Sequence, residues 1–262
     1  MTEPGTELPT AIAAFAAQPR VLVAVDFDGT LSPFVLDPMQ ARAVPGGIEA
    51  LRAAAALGGV TVAVVSGRDL ATLASITGIS PDDGVTLIGS HGAQMNLHPA
   101  GDGDFLDEDA TARLRMVSGE LEKIKSRYPA VRLEHKPAAV ALHTRGVEPL
   151  VATAATAAAR EVGERYPGVH VMPGKNVVEL TVLEANKGNA VIKLARATDS
   201  DATLYIGDDV TDERAFAALD PASGDLTVKV GDGETVAAQR VRDQESVVEL
   251  LALFVDLRRA RG

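Results

Sequence analysis

The chain has 262 residues, 46% of them hydrophobic and 23% charged, and its formal net charge is -11 at pH 7. This acidic balance argues against a nucleic-acid partner, which requires a basic face, and the absence of cysteine excludes disulfides and thiolate metal sites. No apolar run approaches the roughly 20 residues that span a bilayer. Because Glu3 and Glu7 also stand where a signal peptide carries positive charge, we expect a cytoplasmic protein without a membrane partner. We also expect a monomer.

Short apolar runs, most of them rich in valine or isoleucine, predict buried strands at residues 21–25, 60–65, 85–88 and 203–206. Gly or Asp stands within a residue or so of the end of each run. Helix-like segments follow the first two runs, near residues 47–57 and 68–76. Strands that alternate with helices are typical of βαβ units, so we predict an α/β fold with a parallel-sheet core.

A different pattern begins after residues 98–109, which contain Gly, Pro and Asp as a linker would. Two helix-like segments, 110–127 and 148–166, each precede a pair of strand-like runs, at 131–135 and 140–144 and at 169–172 and 177–182. The first pair is separated by a Lys-Pro-Ala turn and the second by a Pro-Gly turn. This order predicts an α+β layer of roughly 75 residues. We therefore predict a core formed by residues 1–104 and 184–262, with a second domain, residues 105–183, inserted into it.

Two carboxylates stand directly after the first predicted strand, in Asp26-Phe27-Asp28-Gly29-Thr30. Alternation in an extended chain puts Asp26 and Asp28 on one side, while Phe27 points away into the packing. Open α/β sheets place their ligands at the carboxyl ends of such strands. The alternative is a plain strand-ending turn, because Asp and Gly are common turn formers.

Two shorter motifs supply a hydroxyl group and a cation. Ser66-Gly67-Arg68 follows the second strand and precedes a helix, where a hydroxyl and exposed amides suit phosphate oxygens. The alternative is that Ser66 is the N-cap of that helix. Lys187 opens a helix in Asn186-Lys187-Gly188, and its alternative is a solvated surface charge.

An acidic run, Gly207-Asp208-Asp209-Val210-Thr211-Asp212-Glu213, follows the strand at 203–206. Its four carboxylates within six residues repel one another unless a cation or solvent compensates. Oxygen ligands at a strand end suit Mg²⁺. The alternative is a solvated acidic loop or a helix N-terminus, where the helix dipole favours Asp and Glu.

In combination, the order Asp-x-Asp-Gly-Thr, Ser, Lys, Gly-Asp-Asp resembles the haloacid dehalogenase superfamily motif for motif. The resemblance implies a Rossmann-like core with an α+β cap of the C2 type. It also implies that Asp26 is the nucleophile, which forms an aspartyl-phosphate. Asp28 would protonate the leaving alkoxide and then activate water, while Ser66 and Lys187 would hold the phosphoryl oxygens.

The resemblance further implies a Mg²⁺ site. The ligands would be the carboxylate of Asp26, the backbone carbonyl of Asp28, and Asp208. Asp209 or Asp212 would be reached through water.

Further motifs are similar to those of trehalose-6-phosphate phosphatases, from about Arg20 onwards. They are Asp28-Gly29-Thr30-Leu31-Ser32-Pro33, Gly89-Ser90-His91-Gly92, Glu134-His135-Lys136, His143-Thr144-Arg145, Gly174-Lys175 and Val178-Glu179-Leu180. This similarity implies trehalose 6-phosphate as the substrate, with Gly67, Arg68 and His91 among its contacts. Sugar hydroxyls would bind to the charged cap residues Glu134, Lys136 and Glu179.

The alternative for those three cap residues is the solvent face of a half-exposed sheet. Tryptophan is absent and aromatic residues make up 3% of the chain, so sugar specificity would rest on polar contacts. The alternative functions are those of a phosphatase for sucrose 6-phosphate or mannosyl-3-phosphoglycerate, a phosphomutase, or a non-catalytic sugar-phosphate-binding module. If the cap closes over the substrate, residues 98–109 and 184–187 are the predicted hinges.

Overall fold

The computed structural model describes residues 4–35, 37–96, 108–136, 138–174, 176–182 and 186–261. The chain divides into two compact units, a core unit (Met1–Gly101 with Ala185–Gly262) and an inserted unit (Asp102–Glu184). The predicted domain boundaries, after residues 104 and 183, lie outside the described residues, as do residues 98–107 and 184–185 of the predicted hinges.

The elements fall into three groups along the chain. The first part of the core contains α1 (Pro4–Ala16), β1 (Val21–Asp26), α2 (Gly47–Ala55), β2 (Val60–Val65), α3 (Leu70–Thr77), β3 (Val85–Gly89) and β4 (Gln94–Met95). The inserted unit contains α4 (Glu108–Arg127), β5 (Arg132–Lys136), β6 (Ala139–His143), α5 (Pro149–Arg165), β7 (His170–Gly174) and β8 (Val177–Thr181). The second part of the core contains α6 (Lys187–Ala197), β9 (Ala202–Gly207), α7 (Val210–Ala218), β10 (Leu226–Val230), β11 (Gln239–Val241) and α8 (Gln244–Arg259).

Strand β1 lies at the centre of the core sheet, whose seven strands run in the order β11-β10-β9-β1-β2-β3-β4. Neighbouring strands are parallel except β3 and β4. The chain leaves β1 towards β2 on one side, and it leaves β9 towards β10 on the other. The carboxyl end of β1 is therefore at a topological switch point, where open α/β sheets bind ligands.

Apolar layers cover both faces of the core sheet. On one face, Val21, Val23 and Val25 of β1 pack in a cluster with residues of α1, α2, α3 and α8. On the other face, Leu22 and Ala24 pack with residues of α6 and α7. Burial on both faces explains why these strands are continuous apolar runs, and the predicted α/β fold with a parallel-sheet core is confirmed.

The inserted unit is an antiparallel sheet, in the order β5-β6-β8-β7, with both helices packed on one face. That face carries Val140, Leu142, Val178 and Leu180. The predicted helix–hairpin–helix–hairpin order is confirmed. One detail differs, because Pro173 and Gly174 end β7 instead of forming the turn. Strand β7 is an edge strand, where a residue without an N–H is tolerated.

None of the described helices has the length and apolarity needed to cross a membrane.

Candidate active site

Asp26 ends β1 inside the protein. It is 3% exposed, and its Oδ1 accepts a hydrogen bond of 2.7 Å from Lys187 Nζ. Lys187 is the first residue of α6, whose N-cap is Asn186, and it is 4% exposed. The alternative prediction that Lys187 is a solvated surface charge is therefore wrong, because this ammonium group is buried against a carboxyl partner.

The acidic loop after β9 folds around the carboxyl group of Asp212, which has no solvent exposure. Its Oδ1 accepts hydrogen bonds from Lys187 Nζ and from the Tyr205 hydroxyl, both at 2.8 Å. Its Oδ2 accepts from the backbone N–H groups of Asp208 at 3.0 Å and Asp209 at 2.9 Å. With four donors, this buried carboxyl group fixes the shape of the loop, and a fully solvated acidic loop is excluded.

Three carboxyl groups converge at the carboxyl ends of β1 and β9. Asp26, Asp208 and Asp212 each offer an oxygen atom, and these atoms all lie within 4.8 Å of one another. Two ammonium groups face them, because Lys187 binds two of the carboxyl groups and Lys229 donates to the backbone carbonyl of Asp208. The cluster thus keeps a formal excess of negative charge and offers hard oxygen donors, a combination that fits Mg²⁺.

The other two residues predicted for the metal have different partners. Asp209 is exposed and caps α7, accepting a hydrogen bond of 2.6 Å from the N–H of Val210. The side chain of Asp28 is bound by Arg68, at 2.6 Å and 2.7 Å. Its predicted contribution to the metal is the backbone carbonyl, so this ion pair leaves that prediction open.

Burial shifts the pKa of two of these carboxyl groups, Asp26 and Asp208. Burial raises the pKa of Asp26 well above its ordinary value, Lys187 opposes this shift, and the charge of Asp212 adds to it. Burial also raises the pKa of Asp208. Burial lowers the pKa of Lys187, but Asp26 and Asp212 raise it by more, so the amine stays charged. A further cation in this cluster would lower the pKa of Asp26 and favour its carboxylate form.

The motif glycine after Asp28 is required by a close approach. Gly29 has φ +87°, and a Cβ atom there would lie 2.1 Å from Oδ2 of Asp208. The hydroxyl of Thr30 donates to the other oxygen of Asp208 at 3.0 Å. Gln244 of α8 donates to the carbonyl of Gly29 at 2.6 Å. Any side chain at this position would push Asp208 away from β1.

The loop at 66–68 lies beside β1, at the end of β2. Ser66 is buried, whereas the N-cap of α3 is Asp69, so the alternative prediction that Ser66 caps the helix is wrong. The imidazole ring of His91 lies over Gly67, where a Cβ atom would come within 2.5 Å of His91 Cε1. The N–H of His91 donates to the carbonyl of Ser66 at 3.0 Å. Glycine at position 67 therefore lets the loops after β2 and β3 meet.

The loop after β3 holds an unusual backbone conformation. Ser90, His91 and Gly92 have φ angles of 52°, 54° and 108°. Two consecutive non-glycine residues in the left-handed region are strained, and such strain is concentrated at functional sites. Burial lowers the pKa of His91, and the charge of Lys187 lowers it further, which favours a neutral ring.

The predicted sugar contacts share the face of the inserted sheet that points away from α4 and α5. Lys136 Nζ lies 2.5 Å from Oε2 of Glu179, and Nε2 of His143 lies 2.7 Å from Oε2 of Glu134. The register brings them together, because Glu134 and Glu179 flank the same residue of β6, Ala141. These side chains are partly exposed, so either prediction for them is compatible with their location.

The sequence matches the trehalose-phosphatase family from residue 24 to residue 246, which is most of the chain. The chain belongs to the trehalose-phosphatase family.

Individual members of this family are similar over much of the chain. A trehalose-phosphate phosphatase of Mycobacterium tuberculosis is 33% identical over 251 residues, which cover 89% of this chain and 61% of that protein. One from Mycobacterium avium is 39% identical over 202 residues, 74% of this chain and 50% of that protein. The chain thus spans between half and two thirds of the length of these curated relatives.

A solved structure shares the architecture. The trehalose-6-phosphate phosphatase of Aspergillus fumigatus is 25% identical, with a TM-score of 0.61, and the match covers 97% of this chain and 99% of that one.

Two residues that shape this site, Tyr205 and Lys229, were missed by the sequence motifs. Tyr205 gives no sequence signal, because it stands in an apolar strand as any core residue would. Lys229 does give one, since it is a lone charged residue in the run Leu-Thr-Val-Lys-Val of β10. It is 5% exposed, and a buried lysine in a strand indicates a nearby acceptor.

Proposed function

We propose that this chain is a magnesium-dependent phosphatase that hydrolyses trehalose 6-phosphate to trehalose and inorganic phosphate. The observation that carries the proposal is the buried carboxyl group of Asp26, which lies against the Lys187 ammonium group and within 4.8 Å of two further carboxyl groups. The relatives that are named trehalose-phosphate phosphatases support the choice of substrate.

The reaction proceeds in two balanced steps. An oxygen of Asp26 attacks phosphorus and the bond to the sugar oxygen breaks, while Asp28 gives that oxygen a proton. Asp28 then takes a proton from water, whose oxygen attacks phosphorus and releases inorganic phosphate and the Asp26 carboxylate. Lys187 neutralises a phosphoryl oxygen in both steps, since any phosphoryl group on Asp26 lies beside its ammonium group.

The proposed Mg²⁺ ligands are the carboxylate of Asp26, the backbone carbonyl of Asp28 and Asp208, with Asp209 or Asp212 reached through water. A Mg²⁺ ion held by these residues would supply positive charge to the transferring phosphoryl group. Of the last two, Asp212 is better suited to fixing the loop, because both of its carboxyl oxygens already accept hydrogen bonds.

The remaining contacts divide between the ends of the substrate. We assign Ser66, Gly67 and His91 to the phosphate end. Their loops follow β2 and β3, the next two strands after β1 in the sheet, and β1 ends at Asp26. The sugar hydroxyls are assigned to Glu134, Lys136 and Glu179, with His143 orienting Glu134.

The proposal is tested by phosphate release from a panel of sugar phosphates. With Mg²⁺, release from trehalose 6-phosphate should far exceed that from sucrose 6-phosphate and mannosyl-3-phosphoglycerate. EDTA should abolish it, and added Mg²⁺ should restore it, because the two ammonium groups do not balance the three carboxyl groups. Preference for another sugar would change the substrate, metal-independent release would contradict the cofactor, and a bisphosphorylated intermediate would indicate a phosphomutase.

The sugar assignment is tested by Glu179→Gln. We expect kcat/KM for trehalose 6-phosphate to fall roughly 10- to 100-fold, mostly through KM, because a hydrogen bond to a charged group is lost. Hydrolysis of 4-nitrophenyl phosphate, which has no sugar, should be unchanged. The matched control is Glu120→Gln, which removes a surface partner of Lys123 at 2.6 Å in the same unit. Equal losses for both substrates would contradict a sugar contact.

A further inference from the structure

Arg68, an arginine predicted to contact substrate, has protein partners for each nitrogen of its guanidinium group. Its Nε and Nη2 donate to the two carboxyl oxygens of Asp28, at 2.7 Å and 2.6 Å. Its Nη1 donates to the backbone carbonyl of Pro38 at 2.7 Å, in a short 3₁₀ turn at residues 37–41. The side chain is 15% exposed. This two-pronged geometry is specific to arginine, since lysine offers only a point charge.

The backbone of Arg68 is also fixed. Its N–H donates to the hydroxyl oxygen of Ser66 at 3.1 Å, and its carbonyl accepts the N–H of Ser90 at 2.7 Å. Gly89 permits this approach, because a Cβ atom there would lie 2.9 Å from the Arg68 carbonyl oxygen. The guanidinium group is therefore held from a rigid loop, and Asp28 takes its orientation from it.

We propose that Arg68 is a positioning residue, which orients the carboxyl group of Asp28 for proton transfer and ties it to the turn at 37–41. The proposal rests on the proposed function, in which Asp28 protonates the leaving oxygen. When one of the two hydrogen bonds from Arg68 breaks, that oxygen of Asp28 can carry the proton. The other hydrogen bond keeps the carboxyl group in place. An arginine that served as a direct phosphate ligand would not need both oxygens of Asp28.

The test separates leaving groups that need a proton from one that does not. When the bond between phosphorus and the sugar oxygen breaks, the alkoxide takes its proton from Asp28, whereas 4-nitrophenolate leaves as a stable anion. We expect Arg68→Lys to slow the first-turnover formation of aspartyl-phosphate from trehalose 6-phosphate roughly 10- to 100-fold, with KM little changed. The burst of 4-nitrophenolate should slow less than about 3-fold, because general acid catalysis is not needed there.

A double-mutant cycle adds a second readout. In an Asp28→Asn background, Arg68→Lys should slow the burst from trehalose 6-phosphate by less than about 3-fold further, because the residues act as one unit. Equal slowing of both substrates, additive losses, or a faster burst in Arg68→Lys would each overturn the proposal.

Arg52 provides a matched control in the same unit. It donates two hydrogen bonds to the carboxyl group of Asp83, at 2.8 Å and 3.2 Å, and one to the carbonyl of Gly78 at 3.0 Å. Arg52→Lys should leave both bursts unchanged, and its thermal unfolding shows how much such a substitution costs the fold.

Hydrogen exchange tests, without an activity assay, whether Arg68 stabilises the turn at 37–41. The amides of Gln40 and Ala41 bond within the turn at 37–41, so Arg68→Met should accelerate their exchange, and unchanged exchange would overturn the tie to the turn. If the wild type releases phosphate from neither substrate, the proposed function is wrong. The proposal that Arg68 orients Asp28 for proton transfer is then wrong as well.

Discussion

Lys187→Met is expected to cost the protein about 3–5 kcal/mol of unfolding free energy, because it removes the cation from buried carboxyl partners. The ammonium group is 4% exposed and lies 2.7 Å from Asp26 and 2.8 Å from Asp212. Methionine has similar length but leaves both groups without this partner. Phosphate release should fall roughly 10³-fold, because the charge that stabilises the phosphoryl group is lost.

The stability loss in Lys187→Met should depend on pH. Burial holds the pKa of Asp26 above its ordinary value, and removing Lys187 takes away the group that opposes this shift. A carboxyl group with a raised pKa in the folded state stabilises the fold when protonated, and this contribution is lost as pH rises through that pKa. The deficit relative to the wild type should therefore be larger at pH 8 than at pH 5.

Urea unfolding of both proteins at the two pH values provides the measurement. Lys123→Met is the control, because Lys123 is 73% exposed and its pair with Glu120 should contribute less than about 1 kcal/mol. An equal deficit at pH 5 and pH 8 would show that no carboxyl group takes up a proton in the variant.

Four of the seven strands in the core sheet, β1, β2, β3 and β9, were predictable because they are continuous apolar runs. The run predicted at 60–65 coincides with β2, Val60–Val65, and the other three runs each fall inside an observed strand. Helix ends were less predictable. The helix predicted from residue 68 begins at Leu70, because its cap is Asp69 and not Ser66, the alternative that the sequence suggested.

The sequence motifs indicated which residues belong to the candidate site, but not which of them contact one another. Lys187 stands 161 residues from Asp26, and only the folded core brings them together. Local sequence likewise gives no sign that Tyr205 donates to Asp212. The pairing of Lys136 with Glu179 depends on the register of three strands, and the shared face of Glu134 and Lys136 was the part that alternation alone could supply.

Asp26→Asn is expected to lower phosphate release by at least roughly 10⁴-fold, because an amide cannot act as the nucleophile. The variant should nevertheless fold, since asparagine keeps the shape of the side chain and an oxygen acceptor for Lys187. Burial disfavours the charged form of Asp26 and raises its pKa, so a neutral side chain suits this position. Unfolding free energy should then fall less steeply with rising pH than in the wild type.

Acid-quench trapping of the phosphorylated protein, urea unfolding and phosphate release together test this result. The wild type should form a phosphoprotein with trehalose 6-phosphate and Mg²⁺, and Asp26→Asn should not. Asp199→Asn is the control, because its side chain is 81% exposed and its backbone φ of 49° suits asparagine. A phosphoprotein or normal turnover in Asp26→Asn would place the nucleophile elsewhere. If Asp26→Asn is inactive and also unfolded, the carboxylate is needed to hold Lys187. The loss of activity would then reflect the loss of the fold and would not identify the nucleophile.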